Sequence, residues 1–326
     1  MQAVWYDRNG AAAEVLVHGE MPTPSPGAGE VLVRLATSGV NPSDWKTRLG
    51  RSRPKLFPRV IPHSDGAGVV EAVGEGVDRA RIGERVWIWN GQWKRPFGTA
   101  AEYIALPSAQ AVRLPDGTDF TAGACLGIPA LTALHALLTD GGVTGQRVLV
   151  TGGAGAVGHY AIQFARLLGA AQVLATVSGE AKAAHAMAAG ADAAINYRAE
   201  DVAARIAELT RGRGLDRVVE VDLSGNAKLL PAILAPGGIC AAYGANEATA
   251  TMEFGPAIVK GIGLRFFIVY ELAPPQREVA IGALTGWLER GVLRHSIAAR
   301  LPLAQCVEAH EAVEQGRHIG NVVLEC

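Results

Sequence analysis

Val148-Leu149-Val150-Thr151-Gly152-Gly153-Ala154-Gly155-Ala156-Val157-Gly158 is the stretch that decides how this chain folds. Its first four residues are apolar or β-branched and read as a buried strand, after which Gly153, Gly155 and Gly158 spell G-x-G-x-x-G. Beyond them Val157, Ala161, Ala165 and Leu168 recur at helical spacing. Strand, glycine turn and helix, in that order, form the context in which the pattern binds a dinucleotide. The first glycine is expected to allow the tight turn, the second to let the backbone approach a pyrophosphate, and the third to pack helix against strand. The helix N-terminus faces the phosphate charge, so Ala154, Ala156 and Val157 join the three glycines as expected cofactor contacts. An ordinary glycine-rich turn is the alternative.

Outward from this motif, strand-like runs repeat at Arg147 to Thr151, Gln172 to Val177, Ala193 to Tyr197, Arg217 to Val221 and Gly238 to Tyr243. Alanine-rich helical stretches lie between them, from about Ala181 to Ala189 and from Glu200 to Thr210, which is the pattern of a parallel α/β sheet. Gly263 to Tyr270 reads as a sixth strand. The first part of the chain is different. Val31 to Leu35, Gly68 to Val73, Arg85 to Trp89 and Ala101 to Leu106 are short strands separated by Pro and Gly, as in an all-β barrel. The tail from Pro274 holds one or two helices and a last strand, Asn321 to Leu324. The expected organisation is therefore a β-rich domain over 1–122, a doubly wound nucleotide-binding domain over 123–268, and a return segment over 269–326, with a ligand cleft between the domains.

Composition narrows the function. The chain has 326 residues, 49% hydrophobic and 19% charged, and so is globular. Thirty Lys and Arg balance thirty-one Asp and Glu, which argues against a nucleic-acid or membrane-surface partner. The N-terminal run Gln2 to Tyr6 is strand-like and no secretory segment is read there. Cys125, Cys240, Cys306 and Cys326 are scattered, giving neither a disulfide framework nor a zinc knuckle, so a cytoplasmic setting is expected. The first three read as small buried filler.

The order of these pieces resembles the medium-chain dehydrogenase/reductase superfamily, and within it the zinc-free quinone oxidoreductases related to zeta-crystallin. The resemblance covers essentially the whole chain. It rests on Gly39 to Lys46 (GVNPSDWK), Pro62 to Val70 (PHSDGAGVV), Gly127 to Ala133 (GIPALTA), the glycine loop, Val219 to Asp222, and His318 to Val323. It implies a Rossmann-type sheet inserted in a GroES-like barrel domain. It also implies a homodimer formed through the nucleotide domain, for which the apolar run Leu264 to Tyr270 near a sheet edge is the matching feature. The zinc-dependent members carry Cys near Val40 and Asn41, His at Ser64 and Cys at Ile128, together with a lobe of four cysteines. Catalytic zinc needs three protein ligands, and Ser64 and Ile128 supply none, so no metal is expected. His63 stands one place off and reads as a lone structural histidine.

An NAD-preferring fold usually ends its second strand on Asp or Glu. Here it ends Ala175-Thr176-Val177-Ser178-Gly179-Glu180-Ala181-Lys182, with no acid at Thr176 or Val177. Ser178 can donate to a phosphate oxygen and Lys182 can reach back as a point charge. The resemblance implies that Ser178, Lys182 and Tyr197, with Arg198 beside them, surround the 2′-phosphate of NADPH. Ser178 is also readable as a helix N-cap, Lys182 as a solvated face residue, and Glu180 as a first-turn acid or a displaced ribose ligand. The resemblance further implies cofactor roles for Asn41, Thr132, Tyr243, Gly244, Phe267, Ile268, Val269 and Asn321; for Phe267 core packing is an equal reading.

Without a metal, the chemistry open to bound NADPH is hydride transfer to a quinone or to an alkene conjugated to a carbonyl. Both leave negative charge on oxygen and call for a donor near it. Asn41 and Lys46 are the polar candidates, with Asp44 able to hold Lys46. Some quinone reductases of the family have Tyr at the place of Lys46, whereas the plant enone-reducing branch shares Asn-Pro-x-Asp-x-Lys, so both substrate classes stay open. Asn41-Pro42-Ser43-Asp44 is equally a good helix start. Two further classes remain. An enoyl-thioester reductase would want a basic entrance, for which Arg48, Arg51, Arg53 and Lys55 are the available run, equally readable as a charged exposed loop. A non-catalytic NADPH-binding protein is the other.

Overall fold

The computed structural model describes residues 1–51, 54–316 and 318–326. The chain divides into two compact units, Met1–Ile128 with Ala283–Cys326, and Pro129–Gly282. These boundaries fall later than 122 and 268 for local reasons. Thr37 Oγ1 donates to the Phe120 carbonyl at 2.6 Å and the Ile128 N–H donates to Asp65 at 3.0 Å, which holds residues 120–128 in the first unit. Arg277 Nη2 donates to the carbonyls of Val269 (2.9 Å) and Tyr270 (3.2 Å), which ties the start of the helix Pro274–Glu289 to the second.

In the first unit the strands are β1 (Gln2–Trp5), β2 (Val17–Glu20), β3 (Glu30–Val40), β4 (Asp65–Val73), β5 (Arg85–Ile88), β6 (Tyr103–Pro107) and β7 (Ala111–Arg113). The second unit contributes β8 (Arg147–Val150), β9 (Gln172–Val177), β10 (Ala193–Asn196), β11 (Leu215–Glu220), β12 (Leu234–Ala242) and β13 (Gly263–Phe266). The return segment adds β14 (Ile297–Pro302) and β15 (Asn321–Glu325) to the first.

β15 pairs antiparallel with β3, Val322 opposite Val40, so the tail is stitched into the sheet that the first part began. That sheet runs β14-β15-β3-β4-β5-β7, with β6 also on β3. β3 is far longer than the run Val31 to Leu35 suggested. Its register shifts against β4 after Leu32 and after Leu35, and these bulges bend the strand so that both halves stay paired. The short β7 and the half-exposed β14 were not legible in the sequence, being too brief or too polar for a period-two signal.

The second unit is a wholly parallel sheet ordered β10-β9-β8-β11-β12-β13. Strand order reverses between β8 and β11, and ligands of such sheets bind outside the carboxyl ends of the strands at that point. Val148, Leu149, Val150, Val218 and Val219 are fully buried there, as expected of strands covered on both faces. The sixth strand stops at Phe266, and Val269–Glu271 form a 3₁₀ turn where the sequence suggested continued strand.

Candidate functional site

The glycine motif folds as a strand-turn-helix, but its glycines exchange roles. The left-handed residue is Gly152 (φ 64°), one place before the motif. Its N–H meets Thr176 Oγ1 at 3.2 Å, and the Gly153 N–H meets the Thr176 carbonyl at 3.0 Å, so the end of β9 anchors the loop. Gly153 is needed for approach, not for turning: a Cβ there would stand 2.6 Å from the Ala175 Cβ. A Cβ on Gly158 would collide with the Gly152 carbonyl oxygen. Gly155 is the exposed N-cap of the helix Ala156–Leu167, which leaves Ala156 and Val157 in its first turn and Ala154 buried just before it. The first-turn N–H groups of this twelve-residue helix could hold the phosphates of a dinucleotide.

At the end of β9 the structure brings Ser178 and Lys182 together, Nζ donating to Oγ at 3.0 Å. Ser178 is not the helix cap. The helix Glu180–Ala188 is entered through Gly179, with no side-chain cap. Tyr197 is half-exposed and its N–H donates to the Val177 carbonyl at 3.1 Å, which places it beside the same strand end. Arg198 is exposed in the following turn.

A second group gathers in the same unit. The Phe267 ring meets His135 edge-on at 4.6 Å and lies 6.2 Å from the Tyr243 ring. His135, Phe267 and Tyr243 thus form one ring group, and buried Thr132 stands one turn before His135 on the helix Leu131–Leu138. The Tyr243 N–H donates to the Glu220 carbonyl, and Gly244 packs against the Val221 carbonyl too closely for any Cβ. Ile268 is exposed, whereas Val269 is buried with its carbonyl held by Arg277.

In the first unit Asn41 caps the helix Pro42–Arg48 and also carries a buried side-chain contact. Its N–H donates to Asp44 Oδ2 at 2.7 Å, and its Nδ2 donates to Asp65 Oδ2 at 2.8 Å. The two readings of Asn41, cap and polar side-chain donor, are therefore compatible. Asp44 is buried and serves the Asn41 backbone, and Lys46 is half-buried with Nζ 5.7 Å from the Trp45 ring centre. Asp65 is the residue that sequence reasoning passed over. It is fully buried, takes both the Asn41 amide and the Ile128 N–H on one oxygen, and burial pushes its carboxyl well above its usual pKa. Its signal was available, as an acid at the head of β4 followed directly by small residues. Asn321, at the head of β15, is buried and donates Nδ2 to the Ser296 carbonyl at 3.0 Å.

Two expectations are corrected. Arg48 does not belong to a basic entrance: it is fully buried, donating to the Gly10 carbonyl and pairing with Glu314 at 2.8 Å. Lys55 Nζ is bound to the carbonyls of Phe57 and Pro58, and Arg53 lies outside the described residues. His63 is not alone. Its ring stacks on His310 with centres 5.0 Å apart, a partner 247 residues away that no local pattern announces.

Residues 27–116 match the alcohol dehydrogenase GroES-like domain family, and residues 156–284 match the family described as zinc-binding dehydrogenase. The chain is 32% identical over 316 residues to a quinone oxidoreductase of Pseudomonas aeruginosa, covering 95% of each. It is 32% identical over 341 residues to a 2-haloacrylate reductase of a Burkholderia species, covering 99% of this chain and 98% of that one. Among solved structures, an NAD-dependent alcohol dehydrogenase superposes with TM-score 0.90 at 30% identity, covering 100% of both chains. A mycobacterial protein solved with NADPH does so with TM-score 0.89 at 28% identity, again over 100% of both. A GroES-like β unit joined to a parallel dinucleotide fold defines the medium-chain dehydrogenase/reductase class. Within that class, this chain belongs to the quinone oxidoreductase family.

The zinc implied by one family description does not fit the catalytic positions. Asn41 offers a carboxamide with one N–H on Asp65, Ser64 offers only a buried hydroxyl without a partner, and Ile128 is hydrocarbon. No thiolate or imidazole stands at any of the three.

Proposed function

We propose that the protein is an NADPH-dependent reductase that passes hydride to a quinone, or to a comparably electron-poor acceptor, without a metal. The observation that carries this reading is the Lys182–Ser178 contact at the end of β9, where an NAD-binding fold would hold an acid. The glycine loop and the helix Ala156–Leu167 would hold the pyrophosphate, with Gly153, Ala154, Gly155, Ala156, Val157 and Gly158 in contact. Ser178, Lys182 and Tyr197 would hold the 2′-phosphate. Thr132, Tyr243, Gly244 and Phe267 to Val269 would position the nicotinamide, with Asn41 and Asn321 contributing amides. When bound, NADPH supplies the hydride. What remains for the protein is the negative charge that then develops on the acceptor oxygen. Lys46 offers a cation and Asn41 an amide for it, and Asp44 braces the segment that carries both.

Reduction of an activated alkene is the second reading, and the 2-haloacrylate reductase among the relatives favours it. A panel of quinones, enones, 2-haloacrylate and enoyl-CoA, each with NADPH and NADH, separates the readings. No turnover of any acceptor with either cofactor would leave only a cofactor-binding protein. Lys46→Met keeps length and removes charge, so kcat is expected to fall roughly ten- to a thousand-fold, more for an enone than for a reactive quinone. A kcat within about twofold for both would remove Lys46 from the site.

The same proposal includes a homodimer formed through β13, the edge strand of the parallel sheet. Phe254, Ile258, Val259, Phe266 and Ile268 are exposed around it, an apolar edge that a second copy would cover. Light scattering at micromolar concentration is expected to give twice the chain mass, and a monomer would refute this. All four cysteines are unpaired, in keeping with a cytoplasmic location. Among the described residues no helix is long and apolar enough to cross a membrane.

A further inference from the structure

We propose that His63, Cys306 and His310 supply three ligands of a zinc-binding site inside the β-rich unit, the fourth position being left to a water carried in with the ion. Cys306 and His310 stand four residues apart on one face of the helix Cys306–Glu314, and His63 precedes β4. All three are fully buried, and one ligand atom from each lies within 4.8 Å of the others. A tetrahedral zinc with ordinary bond lengths sets N···N near about 3.3 Å and N···S near about 3.6 Å. His63 Nε2 and His310 Nε2 are 2.9 Å apart and would part by about 0.4 Å, while the Cys306 Sγ, no more than 4.8 Å from either ligand atom, would close in by up to about 1.2 Å. Two imidazoles and a thiolate are a donor set for zinc and its borderline-soft neighbours, not for magnesium or calcium.

The hydrogen bonds around the cluster show how it is prepared. Thr99 Oγ1 donates to the Asp65 carbonyl, which leaves Ser38 Oγ to donate to Thr99 at 2.8 Å. Ser38 must then accept from His63 Nδ1 at 2.9 Å. That fixes the His63 tautomer and leaves its Nε2 bare, so the proton between the rings belongs to His310 Nε2. His310 Nδ1 is consequently a bare lone pair, buried and without a hydrogen-bond partner. On zinc binding the His310 proton moves from Nε2 to Nδ1 and the Cys306 thiol proton leaves, so one proton is released per ion. The Ser38–Thr99 chain, bonded to Nδ1, keeps the His63 ring aimed. His63 adopts a left-handed backbone (φ 75°), unusual for a residue with a Cβ, which is the kind of outlier a ligand position tolerates. Arg48, the cation that acts on His310, is already paired with Glu314.

The ion would pin the return helix to the strands it covers, and it requires no part of the hydride reaction. The whole protein, unfolded and refolded with equimolar Zn²⁺ and then gel-filtered, is expected to carry one zinc per chain, to release one proton on binding, and to melt at a higher temperature. Refolding with Co²⁺ is expected to add a thiolate-to-cobalt band in the near ultraviolet, lost in Cys306→Ala. His310→Gln is the second variant and should lose the metal with Cys306 intact. A wild-type chain that elutes metal-free overturns the proposal, as does zinc retained in full by both variants. Reductase activity is scored separately, so failure of the hydride reading leaves this test unaffected.

Discussion

Among the described residues two carboxyls are fully buried, Asp65 and Glu220, one in each unit, and they are used differently. Glu220, at the end of β11, accepts on Oε1 from Thr151 Oγ1 (3.0 Å), the Asp222 N–H (2.6 Å) and Asn226 Nδ2 (3.0 Å). Asp65, at the start of β4, accepts on Oδ2 from Asn41 Nδ2 and the Ile128 N–H. Each leaves its second oxygen buried without a partner, and burial raises the pKa of both. Glu220 braces backbone where the strand order reverses. Asp65 instead holds a side chain, Asn41, to which the proposed reaction gives a role. The same residue class at the same depth thus braces backbone in one unit and, on the proposed reading, positions a side chain in the other.

Truncation should separate them most strongly. Asp65→Ala abandons two donors in a fully buried setting and is expected to cost about 2–5 kcal/mol in urea unfolding. Glu220→Ala is expected to cost about 1–3 kcal/mol. Thr151 can turn its hydroxyl fully to the Val219 carbonyl, and the Asp222–Asn226 turn is open enough for water. If Glu220→Ala proves the costlier, the assignment of roles is inverted. Lys182→Ala, which touches neither carboxyl, should weaken NADPH binding by about 1–3 kcal/mol and leave NADH nearly unchanged. Titration calorimetry showing equal losses for both cofactors would detach Lys182 from the 2′-phosphate.

The smallest expected effect is in pH dependence. Burial, the largest influence on Glu220, sets its folded pKa above the ordinary 4.5. In that window the folded state holds the extra proton, so stability is fully present below about 4.5 and declines as pH rises toward the folded value. Glu220→Gln should flatten the decline, by at most about 1.4 kcal/mol per pH unit. Unfolding curves that keep the wild-type pH slope would place its source elsewhere.

Local order carried much of this protein in plain text. Strand, glycine turn and helix follow one another within residues 148–168, so short-range sterics and periodicity suffice to announce a dinucleotide loop. The missing acid at Thr176 and Val177 is legible for the same reason, because a strand end and the next helix are adjacent in sequence. Asn41-Pro42-Ser43-Asp44 declared its helix start, since capping is settled within four residues. The roles of the glycines were less legible. That Gly152 turns and Gly153 packs depends on Thr176 and Ala175, which lie on another strand.

What only tertiary structure decided are the contacts between segments far apart in the chain. Arg48 reads as a surface charge until Glu314 is found beside it. His63 reads as solitary until the return helix supplies His310 and Cys306. Asp65 finds its two donors because β4 starts where Asn41 and Ile128 both point theirs. The sequence alone determined the parallel fold, the phosphate loop and the absence of the usual catalytic zinc ligands, all written in residue type and spacing. The partners of its buried polar groups were decided by chain closure, because burial obliges each such group to find a donor or acceptor wherever the fold happens to bring one.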